Sequence, residues 1–195
     1  FVARCERAGE FLLLADNCGE IVLDKLFLEQ MRKRFPHLHI TVMVRGKEVL
    51  NDATMEDARY VGIDRVAEVI SNGNAAAGTV YHMLPQEAKK RMDKADVILS
   101  KGQGNYETLC NQGFHIFYSF LCKCDLFTSR FEVPRLTGIF VEEKKKNSKI
   151  KTFLKSFFLH SKTALFKIGI NKNKIEYVVK YQYAVVEIGK MALIK

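Results

Sequence analysis

Two hydrophobic rhythms alternate along residues 11–143. Short, continuously apolar runs at residues 11–15 (FLLLA), 39–44 (HITVMV), 66–70, 95–100 (ADVILS), 115–121 and 136–141 predict strands buried on both faces, the second rich in β-branched residues. Between them run stretches of helical period. Ile21, Val22, Leu26 and Leu28, mixed with Asp24, Lys25 and Glu29, predict a helix through Arg34, with Pro36 breaking the pattern. Thr54 is an N-cap for a short helix, Pro85 opens another through Met92, and a further helix is predicted over 105–111. Residues 1–10 read as the end of a helix that begins upstream. Strands alternating with helices at this spacing predict a doubly wound, mostly parallel α/β sheet of Rossmann-like type, with 136–141 at its edge.

Composition changes where the rhythm ends. Residues 144–195 hold 13 Lys and no Arg against Glu176 and Glu187, a charge of +11, while the other 18 basic and 20 acidic residues leave −2 for residues 1–143. The chain therefore divides into an α/β domain, 1–143, and an atypical Lys-rich tail, 144–195, whose apolar stretches at 152–159 and 175–188 suit a helix and a strand. Such a tail attracts polyanions through counterion release, but lysines without a recognition motif predict weak association with no specific nucleic acid. Deleting residues 144–195 is expected to leave any activity of residues 1–143 within about a factor of 3, compared in one assay, because surface changes remote from a site usually matter little.

No apolar run approaches the roughly 20 residues of a membrane span, and no cleavable signal opens the chain, so the expectation is a cytoplasmic protein. The five cysteines are odd in number and lack CxxC pairs, which predicts neither a disulfide framework nor a zinc knuckle but buried small hydrophobes. The histidines are scattered without ligand spacing and read as structural or exposed.

The chemistry sits in three strand-to-helix turns. The first strand runs into Asp16, Asn17, Cys18, Gly19 and Glu20 before the helix begins at Ile21. In open parallel sheets that end of a strand is where ligands bind, and an adjacent carboxylate and carboxamide suit a hard divalent cation. Taken alone, the same residues suit a helix cap, with Asp or Asn as N-cap and Glu20 at the positive helix end. The second turn offers Asn51 and Asp52, which read equally as turn residues before a helix. The third offers Lys101, Gly102, Gln103, Gly104 and Asn105, a lysine and a glycine-rich turn whose amides open a helix, as in phosphate cradles. The loop SNGNAAAG after the third strand is expected to border the same site. Two carboxylates, an amide oxygen and a phosphate cradle together describe metal-assisted phosphoryl chemistry.

GQGNYE supports a rival reading. It follows a strand and opens a helix as a dinucleotide-binding turn does, with Asp125 about 20 residues on, which would make the protein an oxidoreductase. Glu107 stands where that fingerprint has its third glycine, and Asp16, Asn17 and Asp52 are left without a role.

ADNCGEIVLDKL, VRGKEVLNDATMEDARYVG, SKGQGNYETL and the later LCKC closely resemble, in that order, the motifs of the damage-control phosphatase family, whose metal-binding domain is also called acidic-residue methyltransferase-like. The resemblance covers about residues 11–143. It implies a Rossmann-like core that hydrolyses phosphate monoesters of small metabolites, sugar phosphates or damaged phosphometabolites, with a divalent metal such as Mg²⁺, Mn²⁺, Co²⁺ or Ni²⁺. It further implies that Asp16, Asn17 and Asp52 hold the metal and that Lys101 holds the substrate phosphate. A carboxyl methyltransferase activity has also been proposed in the family and ranks below phosphatase. This chain retains only the last turn of the helical segment that precedes the first strand in the family, which leaves open a fragment that binds metal and phosphate with little turnover. Cys18 stands where a small residue is usual.

Overall fold

The computed structural model describes residues 1–144. The expectations for 152–159 and 175–188 lie outside the described residues. Within them the strands are β1 (Glu10–Leu14), β2 (His39–Val44), β3 (Glu68–Ser71), β4 (Val97–Lys101), β5 (Ile116–Leu121) and β6 (Gly138–Glu143). The helices are α1 (Val2–Cys5), α2 (Ile21–Arg34), α3 (Met55–Val61), α4 (Gln86–Lys94), α5 (Gln103–Leu109) and α6 (Asp125–Phe131).

The six strands form one sheet in the order β3-β2-β1-β4-β5-β6, parallel except for the antiparallel edge strand β6. Alternation along β1 builds two cores. Phe11, Leu13 and Ala15 pack with Ile21, Leu28, Met31 and Ala58 on one face, while Leu12 and Leu14 pack with Ala88, Met92, Tyr106 and Leu109 on the other. The continuous apolar run is thus consumed by a sheet covered on both sides.

Three local expectations change. Helix α2 buries Ile21, Asp24, Leu28 and Met31, whereas Val22, Leu23 and Leu26 face outward, so its inward face carries a carboxylate. Helix α5 starts at Gln103, two residues before the expected Asn105, because Gly102 at φ 81° turns the chain at once and accepts from the Tyr106 N–H at 3.3 Å. The unforeseen helix α6 is held by burial of Phe127 and Phe131, whose rings meet Tyr106 and Phe120. Thr54 does cap α3, exchanging hydrogen bonds with Asp57 in a capping box. Of the five free cysteines only Cys5 and Cys122 are buried, and Cys18 is exposed. No helix of the described residues is long and apolar enough to cross a membrane.

Candidate active site

The connections from β1 and β4, adjacent at the middle of the sheet, depart toward opposite edges, and in this strand order the crevice beyond their C-terminal ends is the topological switch point. Asp16 and Asn17 leave β1, and Lys101 and Gly102 lie at the end of β4, so two of the three predicted turns meet there. The third turn is tied to the first by backbone hydrogen bonds. The Cys18 N–H donates to the Asn51 carbonyl at 2.8 Å and the Ala53 N–H to the Asp16 carbonyl at 2.7 Å, and Asn17 bridges Asp52 in antiparallel fashion.

Helix capping accounts for Asn17 only in part, through the turn that leads into α2, where its carbonyl accepts from the Ile21 N–H at 3.2 Å. Glu20, immediately before α2, makes no side-chain cap bond, and the Asn17 side-chain oxygen accepts from the Gly19 N–H at 2.7 Å. That bond shapes the turn and leaves the carboxamide oxygen a second lone pair. Asp16 lies against Gly102, where a Cβ would overlap its carboxylate. Burial, then the charges of Asp52 and Glu20, push the Asp16 carboxyl up to about 6 despite Arg45 and Lys123 nearby. Two carboxylates that repel across a half-buried crevice are relieved by a cation placed between them.

The set fits a hard cation in kind. Among the described residues no group of three or more His, Cys, Asp or Glu is arranged to hold a metal. Asp16, Asn17 and Asp52 supply two carboxylates and a carboxamide, and an ion of the Mg²⁺ type takes one or two carboxylates and completes its shell with water and substrate phosphate. Asp16 opens onto a cleft of about 180 Å³ shared with Glu20, Lys101, Gly102, Gln103 and Lys123. Asp52 borders a neighbouring hollow of about 200 Å³ with Cys18, Asn51 and Glu48.

Sequence reasoning missed the residue that fixes this arrangement. Arg45, at the end of β2 and 2% exposed, donates from Nε to Asp52 Oδ2 at 2.6 Å, from one terminal nitrogen to Thr79 Oγ1 at 3.3 Å and from the other to Asn105 Oδ1 at 3.2 Å. The Asn105 amide donates in turn to the Ala15 and Lys101 carbonyls at 3.1 and 2.8 Å. The carboxamide of Asn105, expected to face substrate phosphate, is therefore turned inward and ties β1, β2 and β4 together. The loop SNGNAAAG and Thr79 after it support the same network, with Gly78 packed on Gly104 and the Thr79 N–H bonded to Thr108 Oγ1, and no residue of the loop lines the cleft with Asp16. The signal was a charged residue closing an otherwise apolar strand, since only a paired guanidinium is buried so deeply. Arg45→Met is expected to destabilise the fold by about 3–5 kcal/mol, because Asp52 would remain buried without its partner. Chemical denaturation checks this, and Arg45→Lys should recover only part, its point charge being unable to fork to three acceptors.

Lys101 is engaged as well. Its ammonium donates to Asp24 Oδ1 at 2.8 Å and Glu20 Oε2 at 3.0 Å. Burial by itself would lower the Lys101 pKa, but Asp24 and Glu20 outweigh it and hold the group charged. Burial raises the Asp24 carboxyl, an effect the lysine offsets only in part. Gly102 speaks against the dinucleotide reading, because the close approach it permits is taken by the Asp16 carboxylate rather than left open for a pyrophosphate. Three of the described histidines take other parts: His37 contacts the Cys5 carbonyl, His39 pairs with Glu10 and Glu68, and His115 pairs with Glu142.

Comparison with known proteins places the chain in a family. The model of the damage-control phosphatase ARMT1-like domain matches residues 1–136. A damage-control phosphatase of Archaeoglobus fulgidus is 38% identical over 120 residues, covering 60% of this chain and 41% of the relative. One of Pyrococcus horikoshii is 35% identical over 133 residues, covering 67% and 45%. The crystal structure of a DUF89 family protein from Pyrococcus horikoshii superposes with a TM-score of 0.66 at 31% identity, over 74% of this chain and 50% of that one. The chain thus spans half or less of the length of these relatives.

Proposed function

We propose that this chain, which belongs to the damage-control phosphatase ARMT1-like domain family, carries the centre of a metal-dependent phosphatase acting on phosphate monoesters of small metabolites, sugar phosphates or damaged phosphometabolites. The observation that carries the reading is the Asp16 carboxylate seated on Gly102 at the switch point, with Asp52 near enough to raise its proton affinity and Lys101 on the same cleft.

Asp16, Asn17 and Asp52 would hold the divalent cation, Mg²⁺, Mn²⁺ or a similar ion. When bound it supplies Lewis acidity toward a phosphoryl oxygen and acidifies a coordinated water. The protein does the rest by position. Lys101 carries a fixed positive charge to the cleft that Asp16 lines, where a phosphoryl group would gain charge on its equatorial oxygens. Gly102 and Gly104, expected from the sequence to hold the phosphate, serve it indirectly: Gly102 makes room for the Asp16 carboxylate and Gly104 packs on Gly78. Arg45 and Asn105 act through Asp52 and the strand ends, holding the acidic turns in register.

A metal analysis of the purified protein beside a panel of phosphate esters tests the reading. The wild type should retain a divalent metal and hydrolyse p-nitrophenyl phosphate, and Asp52→Ala should lose both. Hydrolysis that survives EDTA, or metal retained by Asp52→Ala, would overturn it.

A further inference from the structure

The two carboxylates on Lys101 differ in a way that matters for substrate. Asp24 is on the inward face of α2 with a side chain 6% exposed, whereas Glu20, at the mouth of the cleft, is 44% exposed. An Asp24 freed from its lysine would be a buried charge without a partner, since its other oxygen, Oδ2, is already buried without a hydrogen bond. Glu20 can swing into water at almost no cost, because a half-exposed ion pair is worth little.

We propose that Glu20 is an exchangeable counter-ion of Lys101, a stand-in that the substrate phosphate displaces, while Asp24 is the fixed anchor that keeps the ammonium aimed at the cleft. This deepens the phosphatase reading and rests on it. Glu20 shields Lys101 while the cleft is empty and discriminates among ligands, since a dianionic phosphoryl group can outcompete one carboxylate where a monoanion gains little. Asp24 is a positioning residue in the same scheme. The two neighbours therefore have opposite effects, although both carry the same charge. A purely electrostatic role would make either neutral variant bind anions more tightly.

Calorimetric titration of inorganic phosphate into the Mn²⁺-loaded protein separates the cases. Glu20→Gln should tighten phosphate by about twofold to fivefold, the range an exposed pair is worth. Asp24→Asn should loosen it by a similar factor or more. A second readout needs neither metal nor turnover: acetylation of Lys101 by acetic anhydride, followed by mass spectrometry, should be several-fold faster in Glu20→Gln than in wild type. Tightening in both variants would reduce the effect to net charge and overturn the proposal. Weaker phosphate and weaker Mn²⁺ binding in Glu20→Gln would make Glu20 a metal ligand instead, and an unchanged acetylation rate would show that it does not cover the amine. Wild-type protein that binds neither Mn²⁺ nor phosphate would remove the phosphatase reading itself, and the exchange with it.

Discussion

Asp16→Asn is expected to abolish hydrolysis and yet make the metal-free protein more stable. The carboxylate lies in a crevice where burial and the charges of Asp52 and Glu20 raise its pKa to about 6, from 3.8 for an ordinary aspartate. A carboxyl raised on folding binds its proton more tightly in the native than in the unfolded chain. It therefore contributes stability below about pH 4 that is lost as pH rises to about 6, and the deficit stays constant above that. The roughly two-unit shift corresponds to about 3 kcal/mol at pH 7. An asparagine carries no such charge, so the metal-free variant should melt several degrees higher than wild type at pH 7.5 and lose the decline between pH 4 and 6. Saturating Mn²⁺ should raise the melting temperature of wild type and leave the variant unmoved. Its rate on p-nitrophenyl phosphate should fall by about 10³-fold, since a polarising cation is worth several kcal/mol of transition-state stabilisation. A variant that is active, or less stable than wild type without metal at pH 7.5, would contradict this account of Asp16.

Gly102→Ala should be nearly as damaging, for a steric reason. The backbone at Gly102 has φ 81° and ψ 154°, a region essentially closed to residues with a Cβ, which costs about 1–3 kcal/mol. The new methyl would also occupy the space of the Asp16 carboxylate, whose short side chain has nowhere to go but out of the crevice. Activity is expected to drop at least 100-fold, the order of loss that a displacement of about 1 Å at a reacting centre can cause. Shortening Asp16 separates the two contributions. In an Asp16→Ala background the stability cost of Gly102→Ala should shrink to the backbone strain, a coupling that a double-mutant cycle of unfolding free energies measures directly. Equal costs in both backgrounds would mean that the glycine serves the turn alone.

Local sequence carries much of this molecule because parallel sheets leave a strong trace. A strand covered on both faces must be apolar throughout, so β1, β2 and β4 stand out within one or two residues, and Thr54 announces α3 through its capping box. The turn residues Asp16, Asn17 and Lys101 stood out for a related reason, as polar groups at strand ends where packing alone has no use for them, whereas Asp52, well past the end of β2, read equally as a turn residue. Helix α6 left a weaker trace, two phenylalanines four apart whose partners, Tyr106 and Phe120, are distant in sequence.

What the sequence by itself determined is the succession of the strands, the class of fold and the polarity of the turns, because each depends on the period and polarity of neighbouring residues. Tertiary structure alone decided which groups face each other. Nothing local to Lys101 tells that Asp24 and Glu20 hold its ammonium, and nothing local to Asn105 tells that its carboxamide points to Arg45 and the Ala15 carbonyl rather than to a ligand. Those pairings span 60 to 90 residues and follow from the parallel pairing of β1 with β4 at the middle of the sheet. A charge buried there must find its partner wherever the fold has brought one, since an unpaired ion would cost several kcal/mol.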